Sequence, residues 1–108
     1  MDQIEKQTNY CIKFIERSNS DIKNFLEIRN DIEGCGSLKG RYKYPEPQGL
    51  HLGNDPRHCM NEYTIMHELV HTIGFEHEHQ RPDRDDWIYV NYSNIIEGTY
   101  FNHFIFKQ

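Results

Sequence analysis

Between residues 61 and 73 the apolar positions recur with the period of a helix. Ile65, Met66, Leu69, Val70 and Ile73 fall on one side, and His67 and His71, one turn apart, fall on the other. The spacing predicts a helix over 61–73, with Asn61 as its N-cap and Glu62 well placed in the first turn. Elsewhere the pattern is that of strands. Residues 11–17 and 25–29 alternate, with Leu26 and Ile28 on one face of the second. A short strand is expected after Gly36, and Leu50 and Leu52 around His51 predict another, at a sheet edge. Residues 2–8 read as the tail of a helix, and residues 92–98 as a short helix capped by Asn91 or Ser93. Pro45, Pro47 and Pro56, with Gly49 and Gly53, place loops across 40–58. Strands followed by a helix that packs on them predict an α+β fold: a twisted, mostly antiparallel or mixed sheet against the 61–73 helix.

That helix carries the chemistry. Residues 67–77 place His67, Glu68, His71, Gly74 and His77 at the spacing HExxHxxGxxH. Two histidines four apart can aim their imidazoles at one point, and zinc accepts such nitrogens at about 2.0–2.1 Å. Gly74 can take a positive φ, end the helix and turn the chain back, so that His77 arrives as a third ligand. Three protein ligands leave a fourth position open, as in catalytic zinc sites. Glu68 is displaced about 100° around the helix from His67, where it can serve as general base toward water without ligating metal. His51, His58, His79 and His103 read as surface histidines outside this set.

The stretch GFEHEHQRPDRDDWI resembles the extended zinc motif of the astacin family, HExxHxxGFxHExxRxDRD. Phe75, Glu78, Arg81, Asp83, Arg84 and Asp85 all match it. Cys11-Ile-Lys-Phe-Ile with Arg17 resembles the strand after the family's first helix, and Gly34-Cys-Gly-Ser-Leu-Lys-Gly-Arg its GCxSxxGR segment. Gln48-Gly-Leu-His-Leu-Gly, Asn94-Ile and Asn102-His-Phe resemble further segments, so the likeness covers almost the whole chain. It implies the N-terminal subdomain of a metzincin (zincin-like) fold, with residues 1–108 as a partial peptidase domain. It also implies one Zn²⁺ per chain on His67, His71 and His77, with Glu68 as base. The reaction implied is hydrolysis of peptide bonds in a protein or peptide substrate by Glu-assisted, zinc-activated water. Glu78 matches a residue that helps anchor the mature N-terminus in the family, and the Arg81–Asp85 run matches a charged structural turn. Gly49, Leu50, His51 and Leu52 match an edge strand that binds extended peptide by sheet addition; an ordinary hairpin strand is the equal alternative.

The departures matter as well. No downstream SxMHY-type Met-turn is present; Met60 and Met66 lie before the first histidine of the motif, and Tyr92 and Tyr100 follow it too closely. Weak or absent activity is therefore expected from these residues alone, and a non-catalytic zinc-binding module is the alternative function. Three cysteines leave at least one unpaired. The resemblance implies a Cys35–Cys59 disulfide, pairs Cys11 with a cysteine beyond residue 108, and implies secretion of the full-length protein; three reduced thiols are the alternative. The polar start Met1-Asp-Gln-Ile-Glu-Lys is no secretory leader, and no stretch is apolar enough to span a membrane. A net charge of −5 without a basic stripe argues against nucleic acid as a partner.

Overall fold

The computed structural model describes residues 1–105, with the backbone alone at residues 100 and 101. Two compact units are present, Met1–Phe75 and Glu76–Gln108.

The first unit contains α1 (Asp2–Gln7), β1 (Leu26–Arg29), β2 (Cys35–Ser37), β3 (Gln48–Leu52) and α2 (Glu62–Thr72). The strands form one mixed sheet in the order β1-β3-β2. β1 runs parallel to β3, with Leu26 opposite Gln48 and Ile28 opposite Leu50. β2 runs antiparallel to it, with Cys35 opposite Leu52 and Ser37 opposite Leu50. The period of two along β3 turns Gln48, Leu50 and Leu52 inward, and all three are buried. Leu50 and Leu52 meet Leu69 of α2 and Ile4 of α1 in the buried cluster, with Ile12, Phe14, Leu26, Ile65, Met66, Val70 and Ile73 packed around it. Burying each leucine contributes roughly 2–3 kcal/mol before entropy is counted.

α2 starts as its sequence dictates. Asn61 is extended, and its Oδ1 accepts the Thr64 amide at 3.0 Å, which satisfies one of the orphan donors of the first turn.

So small a core gives weight to the covalent link beside it. Cys35 and Cys59 form a disulfide that closes a separation of 24 residues, and the Cys59 side chain is fully buried. Cys11 is free and exposed. Replacing Cys35 and Cys59 together by serine is expected to cost about 3 kcal/mol of stability. A thermal melt of the variant beside the oxidised and reduced parent measures it. An unchanged melting temperature on reduction would mean that the bridge constrains little.

Three expectations need correction. The 50–52 strand is not at an edge: β3 is the middle strand, hydrogen-bonded on both sides. Residues 11–17 form no strand. Their alternation reports that Ile12 and Phe14 pack inward, while Ile15 is 87% exposed. Burial of alternate side chains needs no ladder, and here side chains take over the backbone donors. Thr8 Oγ1 accepts the Ile12 amide at 3.3 Å and Glu5 Oε1 accepts the Phe14 amide at 2.7 Å. The helix expected over 92–98 is a single 3-10 turn, Tyr92–Asn94, capped by Asn91. Ile96 is 77% exposed, so further turns would have no apolar face to bury.

The second unit is a series of 3-10 turns, Glu78–Gln80, Arg84–Asp86, Tyr92–Asn94 and Tyr100–His103. Within the charged run there, Arg84 is buried. Its guanidinium donates to the carbonyls of His79, at 2.9 Å, and His103. It also donates to Tyr92 Oη at 2.7 Å and to Asp85 Oδ1 at 3.0 Å. The hydrogen bond to Asp85 holds the Arg84 pKa above its ordinary value. One forked cation thus ties together turns that are far apart in sequence. Among the described residues no helix is long and apolar enough to cross a membrane.

Candidate metal centre

On α2 the four-residue spacing brings the rings of His67 and His71 together. Their Nε2 atoms are 3.0 Å apart, with ring centroids at 4.5 Å and planes at 82°. Two bonds of about 2.0–2.1 Å at a tetrahedral angle would set ligand nitrogens roughly 3.3 Å apart, so this spacing suits zinc.

The end of α2 decides which nitrogen of His71 is the donor to metal. Gly74, at φ +108°, reverses the chain. Its amide bonds to the His71 carbonyl at 2.9 Å, and the Phe75 amide to the Val70 carbonyl at 3.3 Å. Those two bonds are a Schellman motif, which is why glycine stands at this position. The reversal brings the Phe75 carbonyl to 2.7 Å from His71 Nδ1. A carbonyl only accepts, so Nδ1 carries the proton and Nε2 keeps the lone pair a metal needs. His71 is buried and His67 is exposed.

The sheet holds the same turn of helix from the other side. Ser37 Oγ donates to the Glu68 carbonyl at 2.9 Å, and the Gly40 amide donates to the His71 carbonyl at 2.9 Å. Gly40 has φ +65°, and a Cβ built there would stand 3.7 Å from Gly74 Cα. Glycine meets the backbone conformation required here without strain. Glu68, next to His67 in the chain, is buried at 7% exposure.

In the second unit His77 Nδ1 lies 3.1 Å from Gln80 Oε1, and its ring stacks on His79 at 5.4 Å. His67, His71 and His77 form the group able to hold a metal ion. Neutral imidazoles are the donor type zinc takes, and in two of the three an acceptor sits at Nδ1. The Phe75 carbonyl and Gln80 were not foreseen as part of the site. For Gln80, the available signal was its place three residues after the last histidine of the motif.

The remaining histidines have other partners. His58 is exposed and bonds Asp55, holding that carboxyl below the usual range with help from the Arg57 amide. His51 lies 3.6 Å from Asp31, and its ring fills the space a side chain at Gly49 would need, 2.8 Å from an ideal Cβ there. His79 Nε2 bonds the Asn102 carbonyl at 2.8 Å, and its ring lies beside that of His103. His51, His79 and His103 are therefore half-buried, not plain surface groups. Gly49, Leu50, His51 and Leu52 build the middle of the sheet, with the two leucines in the core. Their expected role as a peptide-binding edge loses its structural basis.

The model of the peptidase family Astacin matches residues 1–107. The chain belongs to the astacin family. It is 45% identical over 92 residues to zinc metalloproteinase nas-12 of Caenorhabditis elegans, covering 85% of this chain and 22% of that one. It is 40% identical over 95 residues to zinc metalloproteinase nas-4 of the same organism, covering 88% and 28%. Among solved structures it resembles high choriolytic enzyme 1, a hatching enzyme zinc-protease from the medaka fish Oryzias latipes. That match has a TM-score of 0.76 and 34% identity, and covers 90% of this chain and 45% of the other. This astacin chain therefore spans about a quarter of the length of the two nematode relatives. Its cofactor is Zn²⁺, with His67, His71 and His77 as the binding group.

Proposed function

We propose that this chain is the zinc-binding part of a secreted zinc metalloendopeptidase that hydrolyses peptide bonds in protein or peptide substrates. The observation that carries the reading is the α2 pair: two imidazoles with Nε2 atoms at 3.0 Å, one locked in the ligating tautomer, and a buried carboxylate one residue away. Bound zinc would act as a Lewis acid and lower the pKa of water at the site to about 7. Glu68 does not ligate. Its carboxylate takes a proton from the attacking water and later returns it to the leaving amine, so both transfers use one group. His71, held by the Phe75 carbonyl, keeps the reaction centre fixed relative to that carboxylate.

An extended substrate needs a strand with an unpaired side. Among the described strands β1 and β2 each have β3 on one side only, and of the two it is β2 whose Ser37 bonds the Glu68 carbonyl. The outer edge of β2 therefore runs beside the catalytic turn of α2, and we assign peptide binding by strand addition to it. The Cys35–Cys59 disulfide supports an extracellular setting, where such bonds persist.

Zinc content and peptide cleavage test the reading together. One zinc per chain is expected by elemental analysis. Hydrolysis of an extended peptide by the protein carrying these residues should stop with a chelator and return with zinc. Cleavage that survives complete metal removal would overturn the proposal, as would a folded chain that takes up no zinc.

A further inference from the structure

His77 lies beyond α2, so no helical turn dictates its ring orientation. Its ring meets the Gln80 side chain. That side chain is 6% exposed, and both ends of its amide are engaged. Nε2 donates to the Asn102 carbonyl at 3.1 Å. A carbonyl accepts and never donates, so the nitrogen of the amide must face Asn102. Oε1 then faces His77 Nδ1, at 3.1 Å. An amide oxygen also only accepts, so the proton of His77 sits on Nδ1 and the lone pair on Nε2.

Asn102 is held in turn by its surroundings. Its carbonyl also meets His79 Nε2 at 2.8 Å, and the buried Arg84 guanidinium bonds the carbonyls of His79 and of His103 next door. The order of support is thus Arg84, then the 102–103 backbone, then the Gln80 amide, then the His77 ring.

We propose that Gln80 is a positioning residue that sets the tautomer and ring orientation of His77 and, through them, the zinc affinity of the chain. The proposal rests on the reading of His77 as a zinc ligand. Gln80 does for His77 what the Phe75 carbonyl does for His71, but with a side chain, so it can be tested by substitution. An outer partner of this kind is worth about 10–100-fold in metal affinity.

Two variants separate positioning from packing. Gln80→Met keeps the volume and removes both polar ends. Gln80→Glu gives up the donor to Asn102 and keeps an acceptor for His77 Nδ1. Zinc affinity of the full chain, measured by competition with a chromophoric chelator, should fall about 10–100-fold in Gln80→Met and stay within a few-fold of the parent in Gln80→Glu. Equal losses in both variants would mean that the bond to Asn102 is what matters, and would overturn the proposal. Should Gln80→Met fail to fold, ¹⁵N shifts of the His77 ring in the metal-free parent decide instead. A proton on Nδ1 is expected, and a proton on Nε2 would overturn the proposal. If the parent itself binds no zinc, the ligand reading fails; if it binds zinc and both variants match it, only the role of Gln80 fails.

Discussion

Glu68→Gln is expected to leave zinc bound and to slow peptide hydrolysis by about 10²–10⁴-fold in the protein that carries this chain. The substitution keeps the shape of a buried side chain, so α2 and its packing on the sheet should survive. The amide cannot take up a proton, and the role assigned to Glu68 consists of holding one. The carbonyl of residue 68 would still accept the hydrogen bond from Ser37, because that bond involves only the backbone. Unchanged zinc content beside a collapsed kcat/KM is the expected pair of readings. A rate within tenfold of the parent would show that another group takes the proton.

The second large effect concerns the metal itself. His67→Ala and His71→Ala should each weaken zinc binding by a hundredfold or more. Binding free energies of about 10–16 kcal/mol at four-ligand zinc sites amount to roughly 3 kcal/mol per ligand. The two variants should differ in the metal-free state. His67 is exposed, so water can fill the space its loss opens. His71 is buried and its Nδ1 satisfies the Phe75 carbonyl in the Schellman turn. Deleting it strands that acceptor, which typically costs about 1–3 kcal/mol. Thermal melts of the metal-free chain should therefore drop further for His71→Ala than for His67→Ala. Zinc bound as tightly as in the parent by either variant would remove that residue from the ligand set.

The contrast between these histidines shows where sequence reasoning works. A helical repeat is a local property: residues four apart meet on one face whatever the rest of the chain does. The pairing of His67 with His71, the Asn61 cap and the reversal at Gly74 are all of this kind, and each is found where the spacing predicts. The strands fared differently. The alternation at 11–17 and around His51 correctly marked which side chains turn inward, namely Ile12, Phe14, Leu50 and Leu52. It carried nothing about which strand lies beside which, because the two sides of a strand offer the same backbone groups. Thus β3 was expected at an edge and lies in the middle, with β1 and β2 at the two edges.

Charge was equally opaque. The run Arg81, Asp83, Arg84 and Asp85 matches a charged structural turn, but nothing in its pattern separates Arg81, which bonds Asp83 and Glu78 at the surface, from Arg84. Arg84 is buried because carbonyls from residues 79 and 103 and the Tyr92 hydroxyl converge on its guanidinium. None of these partners is adjacent to it in the chain.

Legible from residue types alone were the family, the zinc motif and its donor type, the zinc helix with its cap and stop, and the inward-facing apolar residues. These depend on residue type and on spacings of a few residues, over which backbone geometry is nearly invariant. The strand order, the burial of Arg84 and the supports of the ligands emerged with the folded chain: the Phe75 carbonyl on His71 and the Gln80 amide, anchored by Asn102, on His77. The physical reason is that a hydrogen bond specifies a distance and a direction but no sequence separation, so contacts between residues far apart in the chain leave no period to read.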